Sequence, residues 1–142
     1  MKISDIVRRK GDEVVTISSD STVKDLLALL AEHRIGAVVV SDDGASVHGI
    51  VSERDVVRHL NSRGAGILEG AVSAIMTKQV HTCDPDDDLI GLAGAMTERR
   101  IRHVPVVVDG RLHAIVSIGD VVKARIDALQ AEADQLRDYI QG

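Results

Sequence analysis

Apolar positions along this chain come in short runs with two periods, and the runs occur twice. VVTIS (14–18) is a short extended piece. Ser21 and Thr22 then precede Val23, Leu26, Leu27 and Leu30, whose three- and four-residue steps mark one face of a helix. Thr22 with Asp25 three residues on fits a capping box in its Thr-x-x-Asp form. IGAVVVSDDG (35–44) reads as an apolar strand ending in a polar turn, and VHGIVS (47–52) as a second strand. Asp43-Gly44 between two such runs predicts a tight hairpin turn. A helix carrying Val56, Val57 and Leu60 follows from about Glu53. The order is β-α-β-β-α.

The same order returns. Thr16, Asp20, Leu26, Glu32, Arg34, Ile35, Val38, Val40, Asp43 and Gly44 recur 66 residues later as Thr82, Asp86, Leu92, Glu98, Arg100, Ile101, Val104, Val106, Asp109 and Gly110. After one dropped residue, VHGIVSERDVV (47–57) realigns with LHAIVSIGDVV (112–122) at an offset of 65. The second copy therefore predicts a strand at VHTC (80–83), a helix over 89–96, strands at HVPVVV (103–108) and LHAIVS (112–117), and a helix from about Gly119. Asp88 stands at the N-cap of its first helix. Pro105 within a strand requires an edge or an N–H outside the ladder. Two copies are too few for a solenoid but suffice for a pseudo-twofold pair in which each covers the other's apolar face.

The flanks are read less directly. Ile3, Ile6 and Val7 predict a helical turn before the first copy, and NSRGAGILEGAV (61–72) is a linker. In the tail, Val122, Ile126, Leu129, Ala133, Leu136 and Ile140 form one helical stripe that runs past what a single copy needs. Burial inside the monomer and burial against a partner both account for it.

Composition narrows the chemistry. The 142 residues carry 17 Lys plus Arg against 22 Asp plus Glu, a formal net charge of -5, which gives no general pull toward nucleic acid. There is no Trp or Phe, and Tyr139 is the one tyrosine, so the core is aliphatic and an aromatic platform for single-stranded nucleic acid is missing. Cys83 is the one cysteine, which fits a reducing compartment. The opening MKISDIVRRKGDEVV has no apolar core of a signal peptide. The longest apolar stretches fall far short of the roughly 20 residues of a membrane span. The expectation is a cytoplasmic protein with neither membrane nor nucleic-acid partners.

Tandem β-α-β-β-α copies ending in GIVSERDVV and AIVSIGDVV resemble the CBS domain pair, or Bateman module, over roughly residues 8–132. The whole looks like a stand-alone bacterial member. The resemblance implies an α/β (α+β) fold of two pseudo-twofold-related repeats. One CBS domain spans 8–67, the second 76–132, and 133–142 is the end of the C-terminal helix. It also implies a homodimer, and an adenosine-containing ligand in the clefts between copies. AMP, ATP or NAD leads, S-adenosylmethionine comes behind, and an unknown protein receives the signal. The alternative is a ligand-free interaction or dimerisation module.

Candidate ligand residues follow. Ser52-Glu53-Arg54-Asp55 and Ser117-Ile118-Gly119-Asp120 each join a strand end to a helix start, where unpaired N–H groups favour an anion. The serines are phosphate donors or plain caps. The family pattern makes Asp55 and Asp120 acceptors for ribose hydroxyls. Arg54 is a phosphate ligand or a surface partner of its acidic neighbours. Thr16 and Thr82, opening each copy's first strand, reach a base or phosphate or satisfy local backbone. Ile35, Ala37 and Val38, with Ile101, His103 and Val104, match the adenine-flanking wall of family members. Arg102 and His103 stand where phosphate-binding members place basic groups, whereas the first copy has Gly36 and Ala37 there. The two sites are therefore expected to be unequal, the second gripping phosphate more strongly.

Enzyme chemistry finds no support. There is no HExxH, CxxC, P-loop or GxGxxG, and no nucleophile–base–orienter trio stands out. His81 and Cys83 beside Asp84, Asp86, Asp87 and Asp88 make at best a weak metal patch, and a solvated turn before a helix is the stronger reading. His48 and His113 read as structural histidines beside buried strands.

Overall fold

The computed structural model describes residues 1–11 and 13–141. Helix α1 (Ile3–Lys10) precedes the first copy, which comprises β1 (Thr16–Ile17), α2 (Val23–His33), β2 (Ala37–Val40), β3 (Gly49–Ser52) and α3 (Glu53–Arg63). Two short 3-10 turns, Ala65–Glu69 and Val72–Ala74, fill the linker. The second copy comprises α4 (Leu89–Arg99), β4 (His103–Val108), β5 (Arg111–Ser117) and α5 (Ile118–Gln141). These are two pseudo-symmetric β-α-β-β-α repeats in an α/β fold.

In the first copy β1 runs parallel to β2, and β2 antiparallel to β3. Its core gathers Leu26 and Leu30 of α2, Val38 and Val40 of β2, Val51 and Val56. The second core mirrors it with Leu92, Met96, Val104, Val106, Val116 and Val121, and adds Ile3 and Ile6 of α1. The helix ahead of the first copy thus docks on the second. Its start is pinned there by backbone bonds from Ile3 N to Asp87 O (3.0 Å) and from Ser4 N to Pro85 O (2.8 Å).

Local chemistry explains most of the elements. Thr22 and Asp25 close the expected capping box, with Asp25 N donating to Thr22 Oγ1 at 3.1 Å and Thr22 N to Asp25 Oδ2 at 3.4 Å. Asp88 is the N-cap of α4 but its side chain makes no capping bond. The linker continues the α3 helix to Arg63 and then buries Ile67.

Three expectations are corrected. The strand over 80–83 shrinks to one parallel bridge, Cys83 with Val106, so Thr82 opens no strand. Cys83 N donates to Pro105 O and Val107 N to Cys83 O. The next ladder bond would come from the position that pairs Thr16 in the first copy, Val39, and its counterpart Pro105 has no N–H to give. The tight turn belongs to the second copy alone. Asp109 and Gly110, at φ 52 and 77, join β4 to β5 directly, as a left-handed two-residue turn requires. In the first copy Asp43 instead organises a loop over 41–48, its Oδ1 accepting from Ala45 N (2.8 Å) and Ser46 N (2.7 Å). Finally, His48 and His113 are exposed, not structural.

Candidate functional site

Each copy turns from strand to helix at the expected Ser-x-x-Asp. Ser52 caps α3, and Asp55 Oδ2 accepts from Ser52 N at 2.8 Å and from Ser52 Oγ at 3.1 Å. In the second copy Asp120 Oδ2 accepts from Ser117 N at 2.9 Å, and Asp120 N donates to Ser117 Oγ at 3.1 Å. Both carboxylates are half-buried and held by their own helix start. In each, Oδ2 is engaged by two donors while Oδ1 is lightly used. Thr77 Oγ1 reaches Asp55 Oδ1 at 3.5 Å, and among the described residues nothing donates to Asp120 Oδ1. A carboxylate so oriented can still accept from a ribose hydroxyl.

What lies beside each carboxylate comes from the other copy's lead-in. Thr77, just ahead of the second copy, exchanges backbone bonds with Ile50 of β3 (2.8 and 2.9 Å). Lys10, ahead of the first copy, sends its Nζ to Ile115 O of β5 and to Asp120 Oδ2, both at 2.8 Å. Ile50 and Ile115 are repeat counterparts. The two lead-ins therefore cross over, one offering a neutral hydroxyl and the other an ammonium. The sequence gives no sign of Lys10's role, because a contact 110 residues apart leaves no periodic trace.

A cleft of about 320 Å³ opens between the copies. Arg54 lines it from α3, and Met96, Thr97, Arg100, Ile101, Arg102 and Ile118 from the second copy. Three arginines are among the residues that line this cleft, and that residue type is suited to phosphate. Of the expected ligand residues it includes Arg54, Ile101 and Arg102. Arg100 was legible as the repeat partner of Arg34 and as one of the basic residues bunched with Arg102 and His103 in RRIRHVP (99–105). Both arginines stop their helices in the left-handed region, at φ 56 and 53, where glycine is the inexpensive choice. Asp55 and Asp120 do not line the cleft. A smaller hollow of about 160 Å³, formed by Arg63 and linker residues, touches none of the expected residues.

His103 sits at the seam. Its Cε1 lies 3.6 Å, and Glu53 Oε1 3.4 Å, from where a Cβ on Gly36 would stand. Burial lowers the His103 pKa below 6.5 and the Lys10 charge assists, with Glu53 and Asp120 pulling the other way. Burial thus favours the neutral imidazole, and the positive residues that line the cleft are the arginines. Ala37, Val38 and Val104 are buried, the valines within the two cores, so their side chains face no ligand and only their backbone is available. Ile35 is partly buried at the first core, Thr16 lies in β1, and Thr82 is exposed.

Cys83 is buried, and burial, seconded by the charges of Asp87 and Asp84, pushes its thiol up to about 12. Among the described residues no three His, Cys, Asp or Glu converge as ligands, and no helix is long and apolar enough to cross a membrane.

Known proteins resemble this chain in sequence and fold. The CBSX3 protein of Arabidopsis thaliana, a mitochondrial CBS domain-containing protein, is 34% identical over 148 residues, spanning 99% of this chain and 72% of its own. The crystal structure of a CBS-domain protein from Agrobacterium tumefaciens has a TM-score of 0.84 at 46% identity, over 88% of this chain and 99% of that one. The CBS domain pair of protein MJ0100, solved with 5′-methylthioadenosine and S-adenosyl-L-methionine, has a TM-score of 0.77 at 24% identity, over 87% of this chain and 98% of that one, a likeness of fold. Residues 3–62 and 72–127 each match the CBS domain family, whose members are regulatory and non-catalytic modules. The chain belongs to that family, as a tandem CBS pair.

Proposed function

We propose that this protein is a cytoplasmic, homodimeric sensor that binds an adenosine-containing nucleotide between its two CBS repeats. AMP, ATP and NAD are the leading ligands. The observation that carries the reading is the cleft of about 320 Å³ in which Arg54 of one copy meets Arg100 and Arg102 of the other. A phosphate held there links the copies, so its binding biases their relation by its differential affinity for the two arrangements. Asp55 and Asp120 are the ribose acceptors, through the oxygens their helix starts leave lightly used. The MJ0100 pair, a relative in fold, holds two adenosine derivatives, which supports the ligand class.

Thermal unfolding with AMP, ADP, ATP, NAD, NADH and S-adenosylmethionine tests the reading. Saturable stabilisation by at least one is expected, about 2.7 kcal/mol at a ligand concentration a hundredfold above Kd. Arg102→Ala should weaken that ligand at least tenfold, about 1.4 kcal/mol, when it carries phosphate. A flat response to all six favours the interaction module, for which the absence of Asp55 and Asp120 from the cleft wall is the supporting observation.

A further inference from the structure

The segments that lead into the two copies make the same contacts at different spacings. Ile3 N donates to Asp87 O and Ser4 N to Pro85 O, just as Val72 N donates to Ser21 O (2.7 Å) and Ser73 N to Ser19 O (3.0 Å). Ile6 and Ile75 then enter the two cores as counterparts. Thr82 follows Ile75 by seven positions, but Thr16 follows Ile6 by ten. The first lead-in therefore holds three extra residues. Helix α1 runs on to Lys10, and Arg9 Nη1 ties it to Asp127 Oδ2 of α5 at 3.4 Å. Arg8, the counterpart of Thr77, is held inside the helix, so its backbone does not pair with β5 as that of Thr77 pairs with β3. Lys10 Nζ takes the place at Ile115 O instead.

The bonds at that place are unevenly shared. Asp120 Oδ2 accepts from Ser117 N at 2.9 Å and from Lys10 Nζ at 2.8 Å, which uses both of its lone pairs, while Oδ1 accepts from nothing among the described residues. An ammonium has three N–H groups. Two of them go to Ile115 O and Asp120 Oδ2, and one is left for a further acceptor. The pair is part-exposed, Lys10 at 36% and Asp120 at 24%, and Asp120 lies in the first turn of α5, whose Ile118 lines the arginine cleft. A free acceptor and a free donor thus stand side by side. Two adjacent hydroxyl groups match them, because each hydroxyl can donate or accept.

We infer that Lys10 is a specificity-determining residue of the second site, reading the ribose diol together with Asp120: one hydroxyl donates to Asp120 Oδ1 and its neighbour accepts from Lys10 Nζ. The inference rests on the proposal that Asp120 is a ribose acceptor. At the first site Thr77 Oγ1, 3.5 Å from Asp55 Oδ1, stands in place of the ammonium. A deoxyribose is therefore rejected more strongly at the second site, where it leaves a charged donor unpaired.

Calorimetry on the full chain with adenosine, 2′-deoxyadenosine and 3′-deoxyadenosine tests this, since none of the three brings a phosphate to the arginines. In the wild type, one of two adenosine-binding steps should weaken at least tenfold with each deoxy analogue. Lys10→Met, which keeps the stem, should weaken that same step for adenosine at least tenfold. It should not further weaken the analogue that lacks the hydroxyl facing the lysine. Lys10→Arg, which keeps a charged donor, should retain part of the affinity. Adenosine binding indifferent to Lys10→Met would overturn the inference and leave the sensor standing. So would a variant that loses the same factor for all three nucleosides, since a lysine that only props the fold does that. A wild type that binds all three alike, or binds no adenosine, would remove the ribose from Asp120 and overturn both readings.

Discussion

The two repeats differ most where each receives the other's lead-in segment. At β3 the visitor is backbone: Ile50 and Thr77 exchange N–H···O bonds of 2.9 and 2.8 Å. At β5 the visitor is a side chain, with Lys10 Nζ bonded to Ile115 O and Asp120 Oδ2. One amino-acid difference follows directly. Gly49 precedes Ile50, and a Cβ there would stand 2.9 Å from Thr77 O and 2.7 Å from Met76 Sδ. Its counterpart Ala114 carries that Cβ, because a slender lysine stem rather than a second backbone approaches β5. A duplicated sequence diverges where symmetry-related surfaces meet unlike neighbours, and here that divergence falls beside the two candidate ribose carboxylates.

The largest effect should come from forcing the first repeat to resemble the second. Gly49→Ala sets a methyl against backbone, which cannot step aside as the Met76 side chain can. A loss of about 1–3 kcal/mol is expected, read by urea denaturation. Ala114→Gly, the reverse exchange, should cost about 1 kcal/mol or less through strand entropy and a lost methyl. Equal effects at the two positions would break the comparison.

Lys10→Thr makes the second repeat resemble the first at its carboxylate. In the wild type, titration calorimetry should resolve two nucleotide-binding steps. In the variant they should converge, the second changing about tenfold, or 1.4 kcal/mol. The ion pair itself, with side chains 36% and 24% exposed, should contribute about 1 kcal/mol or less to stability. Burial raises the Asp120 pKa, but the Lys10 bond and the Ser117 backbone N–H outweigh it and leave the pKa below 3.8. That contribution is therefore present above pH 3.8 and lost as the pH falls through the lower folded value. In Lys10→Thr the acid-side loss should shrink. Two identical steps in the wild type, or steps equally far apart in the variant, would contradict the picture.

Features set by neighbours in sequence were legible: the duplication, the Thr22–Asp25 capping box, the left-handed Asp109-Gly110 turn, and the Ser-x-x-Asp helix starts. Features set by distant partners were not. Docking of α1 on the second core depends on Ile3 and Ile6 meeting residues such as Leu89 and Met96 far along the chain. The shortened strand at Cys83 was foreshadowed by Pro105, yet the missing bond shows only once register is known. The long 41–48 loop escaped because Asp-Gly favours a tight turn wherever nothing competes, and here Asp43 has the N–H groups of Ala45 and Ser46 to satisfy. The arginine cleft was half visible, since Arg102 stands in an obvious basic cluster while Arg54 reaches it from the other repeat.

The smallest effect concerns His103, which faces Lys10, Glu53, Asp120 and Arg102 where the first repeat has Ala37. Its folded pKa lies below the 6.5 of an unhindered histidine, chiefly through burial. The folded chain thus binds fewer protons than the unfolded one in that window, so stability present above pH 6.5 declines as the pH falls toward the folded value. His103→Gln should flatten this decline by about 1 kcal/mol or less between pH 7.5 and 5.5. A phosphate in the adjoining cleft acts in the opposite sense, because its charge favours the imidazolium. NAD, whose pyrophosphate does not titrate in this range, should therefore bind with proton uptake and gain affinity from pH 8 to pH 6. Adenosine, which brings no phosphate, should show neither effect. Calorimetry in buffers of different ionisation enthalpy measures the uptake. NAD binding that remains pH-independent, or keeps its uptake in His103→Gln, would remove His103 from the phosphate's surroundings and leave the arginines and Lys10 as the only marks of asymmetry.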